Sequence, residues 1–117
     1  MRFWARSLDD MTEYVKIEIF APAESVVPLL DALHAVGAGR VGNYDHCISV
    51  SQVTGYWRPL PGAQPYEGVV GELSEGSECK VELRCPHTLA ADVVRAIRAV
   101  HPYEEPVINV LPLLPFA

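Results

Sequence analysis

The chain has 117 residues, half of them hydrophobic and about a fifth charged, and its nine Lys and Arg against fifteen Asp and Glu give a net charge of −6. That length fits one core rather than two domains, and the balance is that of a globular rather than a disordered protein. The acidic charge speaks against nucleic acid and anionic membranes as partners, and no apolar run reaches the ~18 residues of a membrane span.

Residues 1–12 carry Arg2 and Arg6 without the apolar segment of a secretory signal and are expected to form a flexible extension, with Met11 as a second candidate start. Residues 13–117 are expected to form one domain. From Glu13 to Phe20, Val15, Ile17 and Ile19 alternate with Lys16 and Glu18, which predicts a half-buried strand. Val26, Leu29, Leu30 and Leu33 then recur at helical spacing and Gly37 follows as a stop, so a helix is predicted over 24–36, with Ser25 as its cap and Pro28 tolerated in its first turn. Residues 44–51 and 56–60 are β-rich runs around 52–55, predicted as a hairpin turning at Gly55. Residues 59–76 hold too many prolines and glycines for regular structure and are expected to be a long excursion, with a short edge strand at Val69 and Val70.

Cys79, Val81, Leu83 and Cys85 alternate with Glu78, Lys80, Glu82 and Arg84, the clearest strand pattern in the chain, and it puts both cysteines on the apolar face. Leu89, Val93, Ala96, Ile97 and Val100 predict a second amphipathic helix with Thr88 as its cap, ended by Pro102, and residues 107–111 a last strand. The order βαββ-β-αβ predicts an α+β, ferredoxin-like α/β sandwich: an antiparallel sheet with two helices on one face. The other face is left for a partner, so an oligomer held by apolar sheet faces and by Trp57 is expected. Three cysteines, an odd number without a CxxC pair, predict no disulfide framework or zinc knuckle, and a reducing cytoplasm is the expected compartment.

Gly37, Gly39 and Gly42 match G-x-G-x-x-G but follow a helix rather than open one, so a cap and a tight turn are predicted there instead of a nucleotide site. In Asp45-His46-Cys47, strand alternation would let Asp45 and Cys47 share an ion while His46 points away; a buried or interfacial thiol is the simpler fate of Cys47. His101-Pro102-Tyr103-Glu104-Glu105-Pro106 has two readings. It is a rigid turn with a protonated histidine at a helix C-terminus, or a convergent His/Glu set able to bind a cation or exchange protons. Trp57 reads as an interface or core anchor and Arg58 as a contact for an anionic ligand, whereas His34 and His87 read as isolated, solvated histidines.

Three motifs in register carry a resemblance: Gly42-Asn43-Tyr44-Asp45-His46-Cys47 after Gly37-Ala38-Gly39, then Thr54-Gly55-Tyr56-Trp57-Arg58-Pro59-Leu60, then His101 to Pro106. From about Tyr14 to Leu113 the chain resembles the inserted middle domain of the YqfO branch of the GTP cyclohydrolase type-two-homologue proteins. The last motif also resembles the CutA family of divalent-cation tolerance proteins. The resemblance implies a CutA-like and PII-like fold, typically a trimer, here as a free-standing copy without the flanking domains that hold the family's two metal ions. The dinuclear site is therefore not carried over, and the chain is expected not to be an enzyme. From the CutA side, a divalent cation, zinc or copper, is implied at His101 and Glu104, with Cys47 as a further ligand. The leading expectation is a non-enzymatic trimeric module that binds a small molecule or cation between subunits, lined by Asn43, Tyr44, Asp45, His46, Trp57, Arg58, Tyr103 and Glu105. A metal-assisted hydrolase or cyclohydrolase-like activity, or a purely structural assembly domain, are the alternatives.

Overall fold

The computed structural model describes residues 13–116, so the extension expected over residues 1–12 lies outside the described residues. Its elements are β1 (Tyr14–Ala21), α1 (Val26–Ala35), β2 (Ile48–Trp57), β3 (Ser74–Pro86), α2 (Ala90–Val100) and β4 (Ile108–Pro112), with a short 3-10 turn leading into each helix. The sheet order is β2-β3-β1-β4, and every neighbouring pair is antiparallel. β1 and β2 therefore run in the same direction on either side of β3, and each strand–helix–strand unit brackets a strand of the other. This is the interleaving of a ferredoxin-like sandwich.

Alternation in β1 buries Val15, Ile17, Ile19 and Ala21, and the register sets them opposite Cys85, Leu83, Val81 and Cys79 of β3. Leu29 and Leu33 from α1 and Val93 and Ile97 from α2 close over this surface and are completely covered. Each such side chain contributes roughly 1.5–3 kcal/mol by leaving water, which is why a pattern this regular determines the sheet face. Both cysteines of β3 are free thiols on the core side, and burial pushes the Cys85 thiol up from its ordinary range.

The helix ends depart from expectation at their starts. Ser25 lies in the 3-10 turn Ala23–Ser25 with a helical backbone, so its side chain makes no capping bond; Pro28 does fall in the first turn. Thr88 is likewise inside the turn His87–Leu89, and no side chain caps α2. The stop of α1 is as predicted: Gly37 takes φ +84°, and the amides of Gly37 and Ala38 donate to the carbonyls of His34 and Leu33, both at 3.0 Å. This is a Schellman motif, open to glycine because a left-handed backbone costs other residues roughly 1–2 kcal/mol.

The predicted hairpin around residues 52–55 is replaced by one continuous strand. β2 pairs with β3 from Ile48 opposite Leu83 through to Trp57 opposite Ser74, with no turn at Gly55. Gly55 instead leaves room for the Glu78 side chain, whose carboxylate lies over it and would have to shift to admit a Cβ. The hairpin is therefore β2–β3, joined by the excursion at 58–73, and the sheet has four strands rather than five. Val69 and Val70 are not an edge strand: they sit in a turn held by the Gly71 amide on the Pro59 carbonyl (2.8 Å) and the Glu72 amide on that of Val69 (3.0 Å).

The sheet face away from the helices is not the apolar surface expected for subunit pairing. At its centre Glu18 stands directly opposite Glu82, and Lys16 and Lys80 bridge the two carboxylates, with Lys80 to Glu18 at 3.3 Å and Lys16 to Glu18 at 3.4 Å. These ammonium groups hold both carboxyls below the usual range, and the carboxylates, Glu82 first, in turn raise Lys16. β2, by contrast, is an edge strand of ten residues without a charged side chain or a proline.

Candidate functional site

β3 extends past the end of β1, whose last paired residue, Ala21, faces Cys79. The overhanging half of the β2–β3 hairpin thus leaves a recess beside the end of β1, and the loops 58–73 and 101–107 fold into it. The result is a cavity of about 560 Å³, walled by Phe20, Tyr56, Trp57, Tyr66 and Tyr103 and edged by Arg58, Glu67, Glu78, Glu104 and Glu105.

Loop-to-scaffold hydrogen bonds build it. The Trp57 indole lies across Gly76, where a Cβ would come within 3.1 Å, and its Nε1–H donates to the Glu67 carbonyl at 3.0 Å. The Tyr66 hydroxyl donates to Glu24 at 2.8 Å and the backbone amide of Gln64 to the Glu104 carboxylate at 3.0 Å, so the middle of the 58–73 loop is tied both to the turn before α1 and to the 101–107 loop. Tyr103 donates to Glu78 at 2.9 Å; burial, then this carboxylate, pushes its phenol far above the usual range.

His101 orients that loop. Its Nδ1 accepts the Tyr103 amide at 3.2 Å, which leaves the proton on Nε2 to bond the Phe20 carbonyl at 2.7 Å. Burial lowers its pKa, so the neutral ring is favoured, not the protonated one expected at a helix C-terminus. The cause is backbone direction: His101 caps α2 in an extended conformation, φ −76° and ψ 130°, which turns the ring toward the sheet.

A second cluster lies at the opposite end of β2. Residues 45–47 precede the strand rather than belong to it, so alternation does not separate Asp45 from His46. His46 has φ +54°, the one non-glycine positive φ among the described residues, and its ring stacks on that of His34 with centroids 3.9 Å apart and planes at 20°. Its Nδ1 is 2.9 Å from an Asp45 carboxylate oxygen, and this bond, before the nearby His34 and Arg40, holds the Asp45 carboxyl below its usual range. Candidate ligand atoms of His34, Asp45 and His46 all lie within 4.8 Å of one another. His34 is thus not isolated, and it was missed because only the reversal of the chain after α1 brings it to His46.

Of the residues predicted for a site, the cavity collects Trp57, Arg58, Tyr103, Glu104 and Glu105. Asn43 and Tyr44 form a separate small turn, bridged between Val41 and Tyr44, next to Asp45 and His46. Trp57 is nine residues along β2 from Ile48, about 30 Å at the rise of a strand, so the two groups do not meet within one chain. Cys47, half-buried with its thiol 3.6 Å from the Asp45 carbonyl, adjoins Ile48 at the level of Leu83, whereas the 101–107 loop reaches β3 at Glu78. Those levels are about 17 Å apart along β3, too far for Cys47, His101 and Glu104 to share one ion. Tyr66 and Glu78 are cavity residues that no sequence motif marked.

The strand order and helix placement define the class: the fold is that of CutA and PII-like proteins. The divalent ion tolerance protein CutA1 from Ehrlichia chaffeensis superposes with a TM-score of 0.65 at 18% identity, covering 88% of this chain and 83% of that one. B. subtilis GlnK gives 0.62 at 18% identity, covering 87% and 86%. No family model matches the chain. The sequence relationship is nonetheless plain: the GTP cyclohydrolase 1 type 2 homolog of Mycobacterium leprae is 37% identical over 97 residues, 83% of this chain and 25% of that protein. A Bacillus cereus protein related to NIF3 matches in structure as well, with a TM-score of 0.76 at 34% identity over 87% of this chain and 26% of that one. Over most of its length the chain is therefore related to a segment of the GTP cyclohydrolase 1 type 2 homologs, and it spans about a quarter of the length of the curated relatives it matches. Among the described residues no helix is long and apolar enough to cross a membrane.

Proposed function

We propose that this domain is a non-enzymatic binding module that takes a small, aromatic-stacking ligand into the cavity between the β2–β3 hairpin and the 101–107 loop. The cavity itself carries the reading: about 560 Å³ lies within the range of small-molecule sites, and its walls are aromatic. Its polar groups favour binding over chemistry, because Tyr103, Glu78 and Glu104 are engaged in holding the loops. Four glutamates against the single guanidinium of Arg58 favour a ligand bearing a cation or hydrogen-bond donors over a polyphosphate. Occupancy would act on the 58–73 loop, whose contacts form the roof.

The module is a cytoplasmic homotrimer in this reading, as the CutA-like resemblance implies, and the uncharged β2 edge supports pairing between copies. A cation at His101 would have to displace one of that ring's two hydrogen bonds, so the cavity ligand is the organic one.

The test is calorimetric titration with a panel of amine-bearing aromatic compounds alongside ATP. Binding of at least one amine, weakened tenfold or more by Trp57→Ala, is the expected result. Absence of binding across the panel at millimolar concentration, or binding indifferent to Trp57→Ala, overturns the reading.

A further inference from the structure

We propose that His34, Asp45 and His46 form a transition-metal site at the end of the sheet remote from the cavity. Two imidazoles and a carboxylate converge there from separate parts of the chain. His34 comes from the last turn of α1, and Asp45 and His46 from the segment that enters β2. The Schellman stop at Gly37 reverses the chain after His34, and the amide of Cys47 donates to the Gly39 carbonyl at 2.8 Å, which pins the returning segment beside the helix end. The left-handed backbone at His46 then lays its ring over His34 at 3.9 Å.

The donor set selects the ion. Imidazole with carboxylate suits Zn²⁺, Cu²⁺ or Ni²⁺, whereas Mg²⁺ and Ca²⁺ favour all-oxygen shells. Tetrahedral Zn²⁺ with bonds near 2.0–2.1 Å sets its ligands about 3.3 Å apart. The donor atoms here lie within 4.8 Å of one another on exposed side chains; because a ring nitrogen's lone pair lies in the ring plane, the stacked His34 and His46 rings must rotate apart to converge on an ion, which their exposure allows. Three protein ligands leave the fourth position open to solvent, which gives a readily exchanging site rather than a closed structural one.

The experiment is a Zn²⁺ titration of the untagged chain, read by calorimetry and by the imidazole carbon-bound proton resonances of its four histidines. One ion per chain is expected, with the His34 and His46 resonances moving together at substoichiometric Zn²⁺ while those of His87 and His101 stay fixed. Affinity should fall about tenfold or more in His34→Gln and in Asp45→Asn. His46→Asn, which tolerates the left-handed backbone, should act in the same way with an unchanged circular dichroism spectrum. His34 is on an exposed helix surface, so its variant stays informative if the one at His46 misfolds. No binding at millimolar Zn²⁺ overturns the site, as does wild-type affinity in His34→Gln or movement of the His101 resonances in place of those of His34. The calorimetry of the His34, Asp45 and His46 variants does not touch the cavity, so this inference and the proposed function fail separately.

Discussion

Tyr103→Phe is the sharpest probe of how the cavity is held. The substitution keeps the ring, with its tilted contacts to Tyr66 and His101 at 5.8 and 4.8 Å, and removes only the hydroxyl that donates to Glu78 at 2.9 Å. A hydrogen bond to a charged acceptor is worth roughly 1.5–3 kcal/mol when buried. Both partners here are only half-buried, and water can replace the lost donor, so the expected loss is about 1 kcal/mol, near 4 °C in Tm for a domain of this size. The assay is a double-mutant cycle with Glu78→Gln by urea unfolding at fixed protein concentration, since an oligomer's stability depends on concentration. The coupling energy should be about 0.5–1 kcal/mol. A coupling indistinguishable from zero would show that the loop is held by packing alone, and the account of the cavity wall would fall. A second readout is independent of stability: of the five tyrosines, Tyr66 and more strongly Tyr103 should ionise above the normal phenol range in an ultraviolet titration, and Tyr103→Phe should remove the most resistant step while leaving that of Tyr66.

His101 makes the domain acid-sensitive. Its neutral form is favoured in the folded state, so the unfolded chain takes up the proton first; this contribution is whole above the ordinary histidine value of 6.5 and is lost as the pH falls through the lower folded-state value. The difference in stability between wild type and His101→Gln should therefore shrink on going from pH 7.5 to 5, and a constant difference would contradict the buried neutral ring. Gly37→Ala should cost about 1–2 kcal/mol from backbone strain alone, because nothing lies within 4 Å of the new methyl group; thermal unfolding with Ala35→Gly as a propensity control measures it. Leu33→Ala, at a site with no solvent exposure, should cost about 2–5 kcal/mol in urea unfolding, and a loss below 1 kcal/mol would place α1 elsewhere than over the sheet.

The parts of the fold that were legible in the sequence are those whose burial is one-sided. β1 and β3 alternate because one face meets the helices, and Leu29, Leu33, Val93 and Ile97 repeat at helical spacing because only one stripe does. β2 lacks such a signal. It is an edge strand, much of it beyond the cover of the helices, and Val50 remains 45% exposed although it sits opposite the buried Val81. With little burial to impose a period, Gly55 read as a turn, whereas its glycine is set by a neighbour 23 residues away in sequence, Glu78. The same distance effect divides the site residues. Trp57, Arg58 and the 103–105 run stand out because they cluster in sequence, but Tyr66, Glu78 and His34 take their roles from partners that only the folded chain supplies.

The length of β2 also decides what an assembly must do. Residues 42–47 and the cavity lie about 30 Å apart in one chain, so a cleft lined by both requires a second copy. The uncharged β2 edge offers a way to bring one: its outer amides and carbonyls have no partner strand in the sheet order, and it lacks the lysines and prolines that usually block edge-to-edge pairing. The open sheet face is the weaker candidate, because its lysines and glutamates already neutralise one another and would have to be desolvated against a partner. Val50→Lys separates the two surfaces. It puts a charge on the edge strand at an exposed position without touching the quartet, and light scattering at micromolar concentration should report monomers where the parent chain is an oligomer. If Val50→Lys leaves the oligomer intact while Lys80→Glu dissolves it, assembly runs through the sheet face, and the residues at the two ends of β2 belong to unconnected sites.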